Sequence, residues 1–392
     1  MGKVKLCISN AFFYPYSGGT EYHILENGKR LARKFEVHVL TSRIKNTKKS
    51  EKVFGMHVHR IPSYQVAMPL IYPPPLTVAP SAKKALEDLH KKYNFDVFNC
   101  HGRWFPDFAY SIKFAAKIGK PGVLTLHNAR PFGINHIVSV LGYAYEKAYG
   151  IEILRKAYRI ISVSEAAKWD ICMYPGIDPD KIEVIHNGID VEKFKPVEPS
   201  LRDGFLDGLD YLVLFTGRLI PQKGVHYLLK AFPEVLKEYP KTRLVICGRG
   251  NSLKSLMLKA KKFGISKNVI FPGFIPDEKM PALYSSCDVY VLPSLWEVLP
   301  FSLLEALACG RPLVATDAGG NPEIVDNGVN GFIVPKRSSA ALAEKLNILL
   351  GDKTLREKMG KKSREIALKK FDWEIISKKT IDFYERVLRE FK

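Results

Sequence analysis

The chain has 392 residues, of which 46% are hydrophobic, and its 60 Lys and Arg against 40 Asp and Glu give a formal net charge of +20. The length is typical of two domains, and the apolar content is enough for two packed cores, which excludes a disordered chain. No apolar run approaches the roughly 20 residues of a membrane-spanning helix, and the amino terminus resembles a strand rather than a secretory signal. Six scattered cysteines without paired spacing favour reduced core thiols, so we expect a cytoplasmic protein.

The excess of positive charge creates a field that attracts anions such as nucleic acid, anionic lipid headgroups and phosphorylated substrates. The sequence contains no zinc finger, RNP-type aromatic motif or glycine-clamped KH loop, so nucleic acid is not an expected partner. A solvated basic surface explains the charge equally well as peripheral attachment to the anionic inner face of the cell membrane. Both interpretations stay open.

The first half of the chain alternates strand-like and helix-like segments, which predicts a parallel sheet covered by helices. Predicted strands occupy 4–9, 36–41, 95–100, 122–126, 159–163 and 182–185, and predicted helices occupy 20–34, 81–93 and 165–174. Between them, residues 62–80 contain six prolines and predict a long irregular surface or binding loop.

Two features of this half follow predicted strands. Gly18 and Gly19 lie between the first strand and its helix, where glycines let the backbone approach a ligand closely. His127 ends the strand at 122–126, a position that points toward the ligand crevice of an open α/β sheet. His186-Asn187 in the segment 186–190 looks similar but precedes the linker, and the glycine and acid of that segment, Gly188 and Asp190, are interpreted mainly as turn chemistry. Asp178-Pro179-Asp180 has the spacing of a metal–diphosphate motif but lies in a turn away from the glycine loops, so no metal site is predicted.

A second series of strands and helices follows a charged linker at 190–210. Its predicted strands are 211–215, 243–247, 269–271, 289–292, 313–315 and 332–334, and its predicted helices are 225–239, 252–263 and 281–287. We expect an amino-terminal domain at 1–195, a second domain at 205–374, and a terminal helix at 375–392 that packs back on the first. Two such domains side by side leave a cleft beyond the carboxyl ends of their strands.

The loop after the first strand of the second domain is basic. Gly217 permits a tight turn, Arg218 and Lys223 lie five positions apart, and a helix begins near Gly224. A strand, a basic loop and a helix in this order suit a phosphate or diphosphate, although a solvated turn remains the alternative. The spacing differs from that of a Walker loop. Gly248 ends the next strand, and Phe274 follows the third, where an aromatic ring could hold a base.

Two acids interrupt a strongly apolar run at 295–306. Pro300 suits the first turn of a helix, which predicts that Glu305 lies inside a short buried helix and Glu297 on the loop before it. A buried carboxylate is costly unless it is paired or hydrogen-bonded. The pair therefore indicates a ligand rich in hydroxyl groups.

Together, the glycine loop, Arg218 with Lys223, and Glu297-x7-Glu305 within EVLPFSLLEALACGRPLVATDAGG resemble the retaining family 4 glycosyltransferases of the GT-B fold. The resemblance extends to HNGID at 186–190 and to the terminal FDW. It implies an α/β protein with two Rossmann-like, doubly wound domains facing across a cleft. The segment FFYPYSGGTEYH most resembles the branch that includes phosphatidylinositol N-acetylglucosaminyltransferases.

The resemblance also implies roles for single residues. Arg218 and Lys223 would bind the donor diphosphate and neutralise the leaving group, and Glu297 would bind a hydroxyl of the transferred sugar. His127 would contact that sugar near its reacting face, and Glu305 would hold the ribose hydroxyls. The other implied donor contacts come from loop backbone or shape the pocket: Gly18, Gly19, Gly217, Gly248, Phe274, Leu299, Pro300 and Phe301.

The implied reaction moves a sugar from a nucleotide-diphosphate sugar to an acceptor hydroxyl, with a lipid or glycan as the acceptor and no cofactor or required metal. Other enzymes of this fold, a sugar phosphorylase or a nucleotide-sugar epimerase, are the alternatives, and a nucleic-acid-binding protein is a more distant one. A phosphorylase would need a cofactor-lysine motif that the sequence lacks, and an epimerase would need no acceptor. The base and sugar of the donor are left open by the sequence.

Overall fold

The computed structural model describes residues 2–66, 76–128 and 136–391. The chain forms two compact units, one made of Met1–Asn187 with Trp373–Lys392 and the other of Gly188–Asp372. The predicted domains were 1–195 and 205–374, so the stretch expected to be a linker belongs to the second unit and contains a short helix at Arg202–Leu206.

The strands of the first unit are β1 Lys5–Ser9, β2 Glu36–Ser42, β3 Ser50–Val53, β4 Met56–Ile61, β5 Tyr64–Val66, β6 Leu76–Val78, β7 Val97–His101, β8 Gly122–Leu126, β9 Arg159–Ser162 and β10 Ile182–Val184. Those of the second unit are β11 Tyr211–Thr216, β12 Thr242–Cys247, β13 Val269–Gly273, β14 Val289–Leu292, β15 Leu313–Thr316 and β16 Gly331–Val334. Most are short apolar runs, which is the pattern of parallel strands covered on both faces.

The helices before the second unit are α1 Gly19–Leu31, α2 Ala82–Tyr93, α3 Pro106–Lys117, α4 His136–Tyr145, α5 Ile151–Lys156 and α6 Glu165–Cys172. The second unit contains α7 Arg202–Leu206, α8 Val225–Glu238, α9 Leu253–Lys262, α10 Met280–Ser286, α11 Phe301–Ala308, α12 Asn321–Ile324, α13 Ser339–Gly351 and α14 Lys353–Ile366. The last helix, α15 Trp373–Glu390, returns to the first unit. Among the described residues, none of these helices is both long and apolar enough to cross a bilayer.

The first unit is built on an eight-stranded sheet in the order β10-β9-β8-β7-β1-β2-β4-β3, parallel except for β3. The six strands predicted for this half are confirmed within about two residues, but β3 to β6 were missed. β3 is a polar edge strand, and polar histidines alternate along β4, so neither gives an apolar run. Residues 64–66 and 76–78 form a small antiparallel pair at the ends of the proline-rich segment, and 67–75 lie outside the described residues.

The second unit contains a six-stranded, fully parallel sheet in the order β13-β12-β11-β14-β15-β16. This is the strand order of a classic Rossmann fold. The sequence-based expectation of an α/β protein with two doubly wound parallel sheets is therefore confirmed.

Helix α15 completes the first unit. It packs against α1, and Asn27 Nδ2 donates a 3.2 Å hydrogen bond to Thr380 Oγ1 between the two helices. Trp373 and Phe383 are fully buried. The helix also reaches the sheet, because Asn99 Nδ2 donates to Tyr384 Oη at 2.5 Å. The first unit thus depends on residues from the far end of the chain.

Candidate functional site

The second sheet has a point where its strand order reverses. Strand β11 pairs with β12 on one side and with β14 on the other, so the connections after β11 and β14 leave in opposite directions. Ligands of doubly wound sheets bind in the crevice that this reversal creates, beyond the carboxyl ends of the strands. The loops at 217–224 and 293–300 lie there, and they contain Arg218, Lys223 and Glu297.

Close backbone approach joins these two loops. Gly224 has φ +63°, and a Cβ atom built on it would lie 1.9 Å from the Pro293 carbonyl oxygen. The Leu295 amide donates a 2.7 Å hydrogen bond to the Gln222 carbonyl. Gly224 therefore has no room for a side chain, because the loop after β14 occupies that position.

The approach brings Lys223 to Glu297. Lys223 Nζ donates to Glu297 Oε1 at 2.6 Å, and Ser294 Oγ donates to the same oxygen at 2.6 Å. Both members of the ion pair are largely buried, with side chains 14% and 10% exposed. Arg218, on the same loop as Lys223, is exposed. The sequence predicted both loops but not the direct pairing of this lysine with this acid, nor the hydroxyl of Ser294.

Glu305 lies inside α11 and Glu297 on the loop before it, as the sequence predicted. The Tyr284 hydroxyl donates to Glu305 Oε2 at 2.6 Å and lies 2.7 Å from Thr216 Oγ1 at the end of β11. Burial raises the pKa of Glu305 to about 7. Near neutral pH this carboxyl group can therefore either accept or donate a hydrogen bond. Tyr284 was not singled out from the sequence, because nothing in its local pattern marks it.

The residues that follow β12 and β13 lie at the same edge of the second sheet. A Cβ atom on Gly248, which has φ +136°, would lie 1.9 Å from the Gly217 carbonyl oxygen, so the ends of β11 and β12 touch. Phe274 follows β13 with 56% of its surface exposed, and the Arg249 guanidinium lies 5.2 Å from its ring centroid. The residues that begin α11 lie at the reversal point: Leu299, Pro300 and Phe301.

In the first unit, the glycine turn precedes α1. Gly18 is the N-cap residue, and a Cβ atom on it would lie 2.2 Å from Glu21 Oε2; Gly19 begins the helix. Glu21 is buried beside Asn10, whose Nδ2 lies 3.4 Å from Glu21 Oε1, and burial raises the pKa of Glu21 to about 7. The sequence reasoning missed Glu21, although an acid two residues after a glycine pair at a helix start was a usable signal.

His127 belongs to a cluster of three histidines. Its Nε2 lies 2.9 Å from His101 Nδ1 with the rings stacked, and the ring of His23 lies edge-on to it at 4.7 Å. Burial lowers the pKa of all three, that of His23 to about 4, so they are neutral imidazoles near pH 7. Neutral rings offer both a donor and an acceptor, which suits a sugar hydroxyl. His101 was missed, although it is the last residue of β7 and His127 directly follows β8.

The acid of the HNGID segment was interpreted mainly as part of a turn. Asp190 does cap a turn, because its Oδ1 accepts a 2.9 Å bond from the Lys193 amide. Asn187, however, is buried with its Oδ1 3.0 Å from His23 Nδ1, so it orients the histidine cluster. Asp178 caps a turn through the Asp180 amide at 2.9 Å.

Two family descriptions together cover most of the chain. Residues 17–193 match Glycosyltransferase Family 4, and residues 200–366 match Glycosyl transferases group 1. The chain is 30% identical to alpha-maltose-1-phosphate synthase of Mycolicibacterium smegmatis over 289 residues, which is 69% of this chain and 74% of that protein. It is 25% identical to the phosphatidylinositol N-acetylglucosaminyltransferase GPI3 subunit of Saccharomyces cerevisiae, covering 96% and 81% of the two chains.

Solved structures share the fold. The crystal structure of Anabaena Alr3699/HepE in complex with UDP and glucose aligns with a TM-score of 0.74 at 22% identity, covering 97% of this chain and 99% of that one.

Proposed function

This chain belongs to the family 4 glycosyltransferases of the GT-B fold, and on that premise we propose that it is a retaining enzyme that moves a sugar from a nucleotide-diphosphate sugar to an acceptor hydroxyl. The observation that carries the proposal is the largely buried Lys223–Glu297 pair at the reversal point of the second sheet, with Glu305 on α11, the helix that begins there. The UDP and glucose of the Anabaena structure support a nucleotide sugar as the donor.

In this proposal the basic loop binds the donor diphosphate. Lys223 is held in place by its bond to Glu297, and Arg218 lies exposed on the same loop. The amino ends of α8 and α11 lie at the same edge, and the amino end of a helix favours anions. Glu305 binds the ribose hydroxyls, and Glu297 binds a hydroxyl of the sugar while keeping the lysine fixed.

The chemistry follows from where charge develops. The bond from the anomeric carbon to the diphosphate oxygen breaks, and negative charge accumulates on the leaving diphosphate, where Arg218 and Lys223 stabilise it. The acceptor oxygen forms the new bond on the same face of the sugar, and its proton passes to the departing phosphate oxygen. His127 hydrogen-bonds the sugar as a neutral imidazole. Because two cations supply the positive charge, we expect no metal requirement for transfer.

A labelled-donor assay tests this reaction. We expect one of a panel of UDP-, GDP- and ADP-sugars to raise the melting temperature, since a ligand that binds only the native state stabilises it. With that donor and a hydroxyl acceptor, NMR of the product should show the anomeric configuration of the donor. An inverted product would overturn retention. Free epimerised nucleotide sugar, or phosphate-dependent release of a sugar phosphate, would indicate one of the alternative enzymes.

We further propose that the acceptor is a lipid-linked molecule reached at an anionic membrane surface. Three apolar side chains of α4 are about half exposed, namely Val140 at 55%, Leu141 at 53% and Tyr143 at 50%. Apolar side chains that are exposed together on one helix can form part of an interaction surface. The net charge of +20 favours an anionic surface, and the name of the yeast relative indicates a phosphatidylinositol acceptor for that protein.

Vesicle sedimentation tests the membrane proposal. We expect the protein to bind vesicles containing phosphatidylserine better than neutral ones, and binding to weaken with added salt as charges are screened. Leu141→Gln should weaken binding further, whereas Leu258→Gln, at a residue 69% exposed on α9, serves as the matched control and should bind as the wild type does. Absent or salt-insensitive binding would favour a soluble acceptor.

A further inference from the structure

Three histidines and an acid meet at the amino-terminal ends of β2 and β4. His38 on β2 pairs in register with His57 on β4, and His59 follows two residues later on the same face. Glu36, the first residue of β2, lies two residues before His38 and so also shares that face. In a parallel sheet these ends are opposite to the carboxyl ends where His127 lies, so the cluster is separate from His127.

The four side chains are in close contact. His38 is 1% exposed, and its two ring nitrogens are both engaged: Nε2 lies 3.0 Å from Glu36 Oε1, and Nδ1 lies 3.0 Å from His59 Nε2. The ring of His57 stacks on that of His38 with centroids 4.8 Å apart. One ligand atom each from Glu36, His38 and His57 lie within 4.8 Å of one another.

This set of atoms suits a transition-metal ion. Zn²⁺ binds imidazole nitrogen and carboxylate oxygen at about 2.0–2.2 Å, which places two tetrahedral ligands about 3.3 Å apart. The 3.0 Å separation between Glu36 and His38 needs only a few tenths of an ångström of adjustment.

His59 provides the support that a ligating histidine needs. If His38 binds a metal through Nε2, its Nδ1 carries the proton. That N–H then donates a hydrogen bond to His59 Nε2. A ligating histidine usually donates its other N–H to a neighbouring acceptor in this way. A cavity of about 390 Å³ adjoins His57 and His59 and leaves room for water as a fourth ligand.

We propose that Glu36, His38 and His57 form a binding site for a divalent transition-metal ion, with Zn²⁺ as the best fit, and that His59 is the positioning residue for His38. Lys92 also lines the adjoining cavity, and its positive charge opposes a cation. We therefore expect weaker binding than in a thiolate zinc site. The ion would tie the amino ends of β2 and β4 together, independently of the transfer reaction.

Metal titration of the full chain tests the proposal. After chelator treatment, calorimetry with ZnCl₂ should show one ion bound per chain, and CoCl₂ should give visible absorption bands of nitrogen- and oxygen-bound cobalt. Glu36→Gln and His57→Ala should each weaken binding at least tenfold. His59→Ala should weaken it by about 10–100-fold and shift the cobalt bands, as expected when a supporting partner is lost. Glu36 and His57 are partly exposed, so these variants should remain folded.

Two controls separate this site from other histidines. His226→Gln removes a histidine on α8 of the second unit, and His127→Asn disrupts the other histidine cluster; both variants should still bind one ion. The proposal is overturned if the wild type binds no ion. It is equally overturned if Glu36→Gln and His57→Ala bind as tightly as the wild type, or if the ion is lost in His127→Asn instead.

Discussion

Lys223→Ala and Arg218→Ala are each expected to lower kcat by about two to three powers of ten, the size of losing one charge-stabilising donor. Lys223 is the stronger test because its ammonium is fixed 2.6 Å from Glu297 Oε1, so it contributes a preorganised charge rather than a mobile one. Turnover is measured with the donor identified by thermal stabilisation, with circular dichroism as a check on folding.

The control for Lys223 lies on the helix that follows it. Lys230→Ala removes an exposed lysine of α8 and should leave turnover near normal. A double variant, Lys223→Ala with Glu297→Gln, removes the carboxylate that the first change leaves without its cation. The double variant should melt at a higher temperature than Lys223→Ala alone, but its turnover should stay as low. Near-normal turnover in both Lys223→Ala and Arg218→Ala would contradict the role assigned to the basic loop.

Arg103→Met is expected to destabilise the first unit by about 3–5 kcal/mol, the cost of breaking a buried ion pair by removing one partner. Arg103 and Glu146 have side chains 1% and 0% exposed, and the Arg103 Nε lies 2.8 and 2.9 Å from the two carboxylate oxygens. The change leaves the Glu146 carboxylate buried without a cation. Urea denaturation, followed by the fluorescence of tryptophans in the first unit, measures the loss.

A double variant and a variant of an exposed ion pair serve as controls for this result. Arg103→Met with Glu146→Gln should regain part of the lost stability, because no unpaired charge stays buried. Arg159→Met breaks a 2.7 Å contact with Glu390, a pair about one-third exposed, and should change stability much less. If Arg103→Met and Arg159→Met lower the free energy of unfolding by the same amount, burial is not the reason why the Arg103–Glu146 pair stabilises the first unit.

The sequence predicts well where local pattern determines structure. Runs such as 211–215 and 289–292 are apolar throughout and could only be buried strands, and Pro300 with Gly310 bounds the helix that holds Glu305. β4 could not be recognised in the same way, because the partly exposed His57 and His59 interrupt its apolar pattern, and their contacts with His38 come from a separate strand.

Contacts between side chains that are distant in sequence could not be predicted from the sequence. Lys223 and Glu297 are 74 positions apart, and their contact arises from the strand order, which places β14 beside β11. Tyr284 reaches Glu305 for the same kind of reason. The contact of Asn187 with His23 could not be predicted either, because the two residues are 164 positions apart in the chain. The motif residues were therefore found, and the residues that orient them were not.

The path of the chain through α15 has a practical consequence for dissecting the enzyme. The second unit begins and ends at neighbouring points, since the Ile189 amide donates a 2.6 Å hydrogen bond to the Phe371 carbonyl. It is thus inserted into the first unit rather than appended to it. A gene that joins codon 187 to codon 373 through a short spacer would encode the first unit intact, whereas simple truncation before Trp373 would strip away part of its core.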